Sequence, residues 1–223
     1  MNMNNMNNMN NINNINKIPI LYINLERRTD RKIHIEKELK KLGIKKYERF
    51  NAIDMENGAL GCTKSHIKCI ELAIERNYDY VIIMEDDIEF LNPSLFLNKL
   101  NKFLDSINDW DVLLISGNNM LPFNFINDSC IKVYNCQTTT GYIVRKEYYK
   151  TLLDNYNEGL EKLLIEPNNE AYKIDKYWMK LQKKDKWYLL IPPSVVQRED
   201  YSDIEKKITN YKNYMLNINK LVK

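Results

Sequence analysis

Glu85-Asp86-Asp87 follows directly on Tyr80-Val81-Ile82-Ile83-Met84, a continuous apolar run of the kind that forms a strand buried on both faces. Three carboxylates at the carboxyl end of such a strand repel one another. A hard divalent cation relieves that repulsion, and oxygen ligands suit Mg²⁺ or Mn²⁺. The three acids alone also fit a solvated acidic turn; the buried strand in front of them favours the metal. A second group, Asn24-Leu25-Glu26-Arg27-Arg28-Thr29-Asp30-Arg31, sits where the first predicted strand passes into the first predicted helix. Guanidinium groups near a helix N-terminus suit a phosphate, although the same arginines also suit a solvated helix face.

Three further groups carry chemistry less directly. Gly58-Ala59-Leu60-Gly61-Cys62-Thr63-Lys64-Ser65-His66 leads into a predicted helix, with Ser65 and His66 in its first turn. Cys62, His66 and Cys69 are spaced i, i+4, i+7, but three ligands without a fourth read better as core thiols and a satisfied histidine. Asp175 lies among Tyr172, Tyr177 and Trp178. Aromatic faces suit sugar rings, and a partly desolvated carboxylate has the raised pKa of a general base. An exposed helical Asp between Lys173 and Lys176 is the alternative. Ser202 and Glu205 form a capping box, which accounts for that stretch structurally, while Asp203 between them could reach a metal.

The elements that must position these residues alternate. Strands are expected at 18–25, 47–50, 80–84 and 111–115, with helices at 30–42, ended by Gly43, and at 63–76. This pattern predicts an α/β fold with a mostly parallel central sheet flanked by helices. Beyond it, strands are expected at 131–134, 141–144 and 187–191, helices at 146–156 and 170–183, and a Lys-rich helix from about Ile204. Residues 1–16 form an Asn-rich low-complexity tail that reads as disordered, followed by a single domain over 17–223. The chain of 223 residues carries 33 Lys+Arg against 30 Asp+Glu, too slight an excess to argue for nucleic acid as a partner. No apolar run is long enough to span a membrane and no signal peptide is visible, which points to the cytoplasm, and four cysteines without a C-x-x-C pair point to free thiols. Heavy use of Asn, Lys, Ile and Tyr suggests an AT-rich genome, cellular or viral.

The order of these motifs along the chain resembles glycosyltransferase family 25, which includes lipooligosaccharide galactosyltransferases and collagen hydroxylysine galactosyltransferases. The resemblance runs from Tyr22–Arg31 through Gly61–His66, Met84–Asp87, Thr139–Val144, Ile174-Asp175 and Pro193–Gln197 to Ser202-Asp203-Ile204. It implies a GT-A-type nucleotide-diphospho-sugar transferase fold and an inverting, Mn²⁺-dependent transfer. The donor would be a UDP-sugar, galactose or glucose, and the acceptor a hydroxyl on a glycan or a collagen-like hydroxylysine. By the same resemblance Asn24 and Arg27 or Arg31 hold the nucleotide, and Ser65 and His66 line the donor site. Glu85 and Asp86 belong to the acidic motif, Asp87 contacts the metal, Asp203 is a second metal-side acid, and Asp175 is the candidate base. The family carries an acid after a Pro-Val-type pair; here that pair is Lys173-Ile174. A metal-dependent nucleotidyltransferase and a non-catalytic sugar-nucleotide-binding module share parts of the pattern.

Overall fold

The computed structural model describes residues 15–221; positions 1–14 of the Asn-rich tail lie outside them. Ile15, counted with the tail on composition, is buried together with Ile18, Leu42 and Ile44.

The first strand, β1 (Ile20–Asn24), leads into α1 (Thr29–Lys41) and β2 (Glu48–Asn51). Gly43 adopts φ 68°, the left-handed conformation that ends α1: its N–H returns to Lys40 O and that of Ile44 to Leu39 O. Next comes α2 (Gly58–Glu75), which begins five residues before the expected start. Asn57 explains this, because its side chain accepts hydrogen bonds from the N–H groups of Ala59 and Leu60. The chain continues through β3 (Tyr80–Glu85), β4 (Ile88–Phe90), α3 (Pro93–Ser106), β5 (Val112–Leu114) and β6 (Asn118–Asn119). Then follow β7 (Phe123–Asn127), β8 (Cys130–Val133), β9 (Cys136–Gln137), β10 (Gly141–Arg145) and α4 (Tyr149–Ile165). The predicted helix over 170–183 is broken into a 3-10 turn, α5 (Ile174–Tyr177) and α6 (Met179–Gln182). The chain closes with β11 (Trp187–Leu190), β12 (Val195–Gln197), β13 (Asp200–Ser202), β14 (Lys207–Thr209) and α7 (Lys212–Leu216).

Of the Lys-rich helix expected from Ile204 only the five-residue α7 forms, after the β13–β14 hairpin. Ser202 Oγ does accept the Glu205 N–H at 3.1 Å, but the bond closes the turn of the β13–β14 hairpin and starts no helix. Serine and threonine side chains stabilise turns with the same local bond that caps helices.

Eight strands form the central sheet in the order β2-β1-β3-β10-β5-β11-β8-β7. Six share one direction, as expected, and the other two, β10 and β8, run against their neighbours, so the sheet is mixed. Alternation along β3 sorts its apolar residues to two faces. Val81 and Ile83 pack with Ile67, Ile70 and Ala73 of α2 and Leu152 and Tyr156 of α4. Ile82 and Met84 pack with Ile35 and Leu39 of α1 and Phe96, Leu100 and Phe103 of α3. The result is a three-layer α/β/α domain whose β1 and β3 end at the same rim. No helix among the described residues is long and apolar enough to cross a membrane.

Candidate functional site

That rim opens into a cavity of about 340 Å³, bordered by Arg27, Arg31, Ser65, His66, Glu85, Asp86, Asp87, Asp175 and Asp203. Crevices at the carboxyl ends of sheet strands are where α/β folds bind ligands. Of the expected site residues Asn24 alone does not face the cavity. It is 1% exposed, donates through Nδ2 to Asp86 Oδ2 at 2.7 Å, and accepts from Arg49 Nε at 2.8 Å. Both ends of its amide are engaged inside the protein, so in this state it anchors the acidic motif from behind.

Asp86 and Asp87 form the tight turn between β3 and β4. Asp86 is 6% exposed and its second oxygen, Oδ1, accepts from Arg31 Nη1 at 2.9 Å. Asp87 differs. Its Oδ2 accepts from the same Arg31 nitrogen at 3.2 Å, while Oδ1 is buried with no hydrogen-bond partner. An unsatisfied buried carboxylate oxygen at a cavity floor fits a hard cation. Burial, opposed by Arg31 but helped by Glu85 and Asp86, pushes the Asp87 carboxyl up to about 7. Burial also raises Asp86 and Asp175. For Glu85 burial acts the same way, but His66, Thr139 and Arg31 outweigh it and hold the carboxyl low.

These shifts have a measurable consequence. Unfolded, Asp87 gives up its proton near pH ~4; folded and metal-free, it keeps it to about 7. Between those values the folded state binds the extra proton, so this group's contribution to stability falls as pH rises. Metal-free protein should therefore melt at a higher temperature near pH ~5.5 than its Asp87→Asn variant would lead one to extrapolate from pH ~8. Differencing the two proteins cancels groups such as His34, whose burial acts in the opposite sense. Equal pH slopes in the two would contradict the shift.

The basic loop is clasped by acids of the same chain. Arg27, 47% exposed at its side chain, pairs with Asp54 and reaches Asp203 Oδ1 at 2.8 Å. Arg28 Nη1 holds Asp203 Oδ2 at 2.8 Å. One oxygen of Asp200, Oδ2, receives Arg28 Nη2, Arg31 Nε and Arg198 Nη2, each at 3.1 Å. Burial opposes the charge on Asp203, but Arg27 and Arg28 keep its carboxyl below the usual range. Asp203, expected beside a metal, thus sits on guanidinium groups in this state. Asp200 and Arg28 carry no individual role in the sequence reading; the contact between them spans 172 residues, which no local spacing encodes.

Ser65 is fully buried at the cavity wall and its hydroxyl serves the backbone. It donates to Gly61 O at 2.7 Å and accepts from Ile53 N at 2.9 Å. The loop lies so close to α2 that a Cβ on Gly61 would stand 2.4 Å from Ile53 O, hence the glycine. Ser65→Ala should leave the Ile53 N–H unsatisfied, cost about 1–3 kcal/mol and lower Tm by roughly 2–10 °C; an unchanged melt would contradict that anchoring. His66 is buried, with Nδ1 2.9 Å from the Tyr142 hydroxyl and Nε2 3.4 Å from Glu85 Oε1. Opposite, Asp175 lies in the first turn of α5, and its Oδ2 accepts from Thr138 N at 3.0 Å. Thr138 has φ 75°, a left-handed conformation that costs a β-branched residue about 1–2 kcal/mol. The next residue, Thr139, donates its hydroxyl to Glu85, so the strain is concentrated at the cavity wall.

A protein of Acanthamoeba polyphaga mimivirus named "Putative glycosyltransferase R655" is 29% identical over 122 residues, 45% of this chain. The chain spans only 37% of the length of that relative. Among solved structures, a mannose-1-phosphate geranyltransferase from Thermus thermophilus superposes at TM-score 0.45 with 8% identity, covering 78% of this chain and 73% of that one. A glycosyltransferase involved in glycosylation of the major capsid of PBCV-1 superposes at TM-score 0.41 with 15% identity, covering 78% of this chain and 92% of the other. These scores lie below 0.5, and the assignment does not rest on them. The sequence model described as "Glycosyltransferase family 25 (LPS biosynthesis protein)" matches residues 54–165, half of the chain and the span that carries α2, the acidic turn and the Thr139–Gly141 wall, and the chain belongs to glycosyltransferase family 25.

Proposed function

We propose that this protein transfers a hexose, galactose or glucose, from a UDP-sugar to a hydroxyl on a glycan or on a collagen-like hydroxylysine. The transfer would invert the anomeric centre and depend on Mn²⁺ or Mg²⁺. One observation carries this reading: a single cavity collects guanidinium groups, an unsatisfied metal-type carboxylate oxygen and a separate half-buried carboxylate. Each has a task in glycosyl transfer.

Arg27 and Arg31 would hold the diphosphate through charge-assisted hydrogen bonds. To do so they must exchange the carboxylates of Asp203 and Asp200 for phosphate oxygens. Asp87 would hold the cation, with Asp203, once released from its arginines, as a second acid on that side. A bound divalent cation supplies neutralisation of the charge that develops on a departing diphosphate. Asn24 and Asp86 keep the acidic turn in place, and Ser65 and His66 shape the donor wall. Asp175 would take the acceptor proton: burial raises its affinity for a proton, and the Thr138 N–H fixes which oxygen faces the cavity. In an inverting displacement the base must approach from the face opposite the leaving group, so acceptor and diphosphate enter from different sides.

A screen of UDP-sugars with Mn²⁺, scored as UDP release, tests this reading. Release from UDP-galactose or UDP-glucose above other donors is expected. Pyrophosphate release from a nucleoside triphosphate, with no UDP-sugar consumed, would replace the reading by nucleotidyl transfer.

A further inference from the structure

We propose that Cys62, His66 and Glu85 form a second metal site, suited to a borderline-soft divalent cation of the Zn²⁺ class and distinct from the hard-cation position at Asp87. Cys62 and His66 are one helical turn apart on α2 and so share a face. Glu85 ends β3 directly opposite. The sequence spacing suggests Cys69 as the third partner; Cys69 is instead buried in the core, and the residue that completes the group comes from the sheet.

The spacing of ligand atoms matches a metal polyhedron. Tetrahedral zinc with ordinary Zn–N, Zn–O and Zn–S bonds sets ligand atoms about 3.3 Å apart for a nitrogen–oxygen pair and about 3.6 Å for a sulfur–oxygen pair. Here His66 Nε2 lies 3.4 Å and Cys62 Sγ 3.7 Å from Glu85 Oε1, and all three atoms fall within 4.8 Å of one another. Little movement is needed to close around an ion. The supporting contacts are those of a held ligand set. The Tyr142 hydroxyl engages His66 Nδ1 at 2.9 Å and so directs Nε2 toward the group, while Thr139 Oγ1 donates to Glu85 Oε1 at 2.7 Å. Tyr156 in turn donates to the Tyr142 hydroxyl at 3.3 Å, which fixes the ring's outer partner.

Ligand type decides which ion. Thiolate and imidazole select zinc over manganese or magnesium, whereas the Asp87 oxygen selects the reverse. All three side chains border the cavity, so a fourth coordination position is directed into it, an arrangement of three protein ligands and one open place. An ion there occupies the floor between the acidic turn and Asp175. Zn²⁺ bound at this place therefore inhibits transfer. The binding itself is independent of the donor assignment, because it is read without any sugar nucleotide.

Cobalt(II) serves as the spectroscopic probe, added to the full chain in the absence of manganese. One equivalent is expected to give an ultraviolet thiolate-to-cobalt charge-transfer band that one equivalent of Zn²⁺ removes. Cys62→Ser should lack the band and bind Zn²⁺ about 100-fold more weakly or worse, since even loss of a supporting contact costs a metal site 10–100-fold. Asp87→Asn should keep it. A protection measurement covers the case in which Cys62→Ser does not fold. Stoichiometric Zn²⁺ should slow alkylation of Cys62 in the unmodified chain, read by mass spectrometry, and Mn²⁺ should not. No band at cobalt saturation, a band that survives Cys62→Ser, a band unaffected by both His66→Gln and Glu85→Gln, or equal alkylation with and without Zn²⁺ overturns the proposal.

Discussion

Asp87→Ala is expected to abolish Mn²⁺-dependent UDP release, with kcat/KM lower by about 10³-fold or more, the loss of several kcal/mol of charge stabilisation. The variant is a clean probe because so little else depends on this side chain. Arg31 donates to it at 3.2 Å, and Arg31 keeps Asp86 and Asp200 when it is gone. The unsatisfied Oδ1 is removed with it, so the metal-free fold should be no less stable and, above pH ~7, more so, since a buried charge disappears. Activity and stability thus move in opposite directions. Asp86→Ala offers no such separation: it removes hydrogen bonds made by both Asn24 Nδ2 and Arg31. Stopped turnover combined with a preserved or raised Tm is the combination to look for; undiminished Mn²⁺-dependent turnover in Asp87→Ala would remove the residue from the metal side.

Asp175→Asn is expected to lower kcat by about 10²–10⁴-fold, the usual range for loss of a general base, with UDP affinity nearly unchanged. The amide keeps the size of the carboxylate, and its oxygen can still accept the Thr138 N–H, so the strained Thr138 turn survives. What the amide cannot do is take a proton. The proposed nucleotide half of the cavity, built on Arg27, Arg31 and the acidic turn, is on other elements. A fall in kcat with intact UDP binding by calorimetry separates this role from a structural one, and unchanged turnover would take Asp175 out of the mechanism.

Parts of this architecture are legible in the sequence because they rest on local physics. The apolar run 80–84 fits a strand buried on both faces, as residues 81–84 are, and Gly43 supplies the left-handed residue that ends α1. The acidic triplet and the arginine loop then fall at strand ends by necessity. Other parts rest on contacts that no local pattern records. The helix α3 carries Asn92 as a cap and Pro93 in its first turn, yet the sequence reading places no element there. Between 170 and 183 helical spacing is real, but Trp178, whose indole donates to Cys136 O at 2.9 Å, breaks the run into short turns as it enters the core. The Ser202–Glu205 signature is right as a hydrogen bond and wrong as a helix, since a hairpin turn uses the same bond. At the site, Asp200 and Glu85 reach their partners across the fold: three arginines converge on the former, and Cys62 and His66 face the latter. Asn24 stands out by its place in the motif, and in this state its buried amide supports the acidic turn.

In the proposed reading the unsatisfied Asp87 oxygen marks where a divalent cation meets a UDP-sugar. Anomalous scattering from crystals soaked with Mn²⁺ and UDP tests it most directly. A manganese peak is expected against Asp87, with the diphosphate between it and the Arg27–Arg31 loop and the Asp200 and Asp203 contacts to that loop opened. UDP bound elsewhere, or manganese found away from Asp87 while the arginines keep their aspartates, would contradict it.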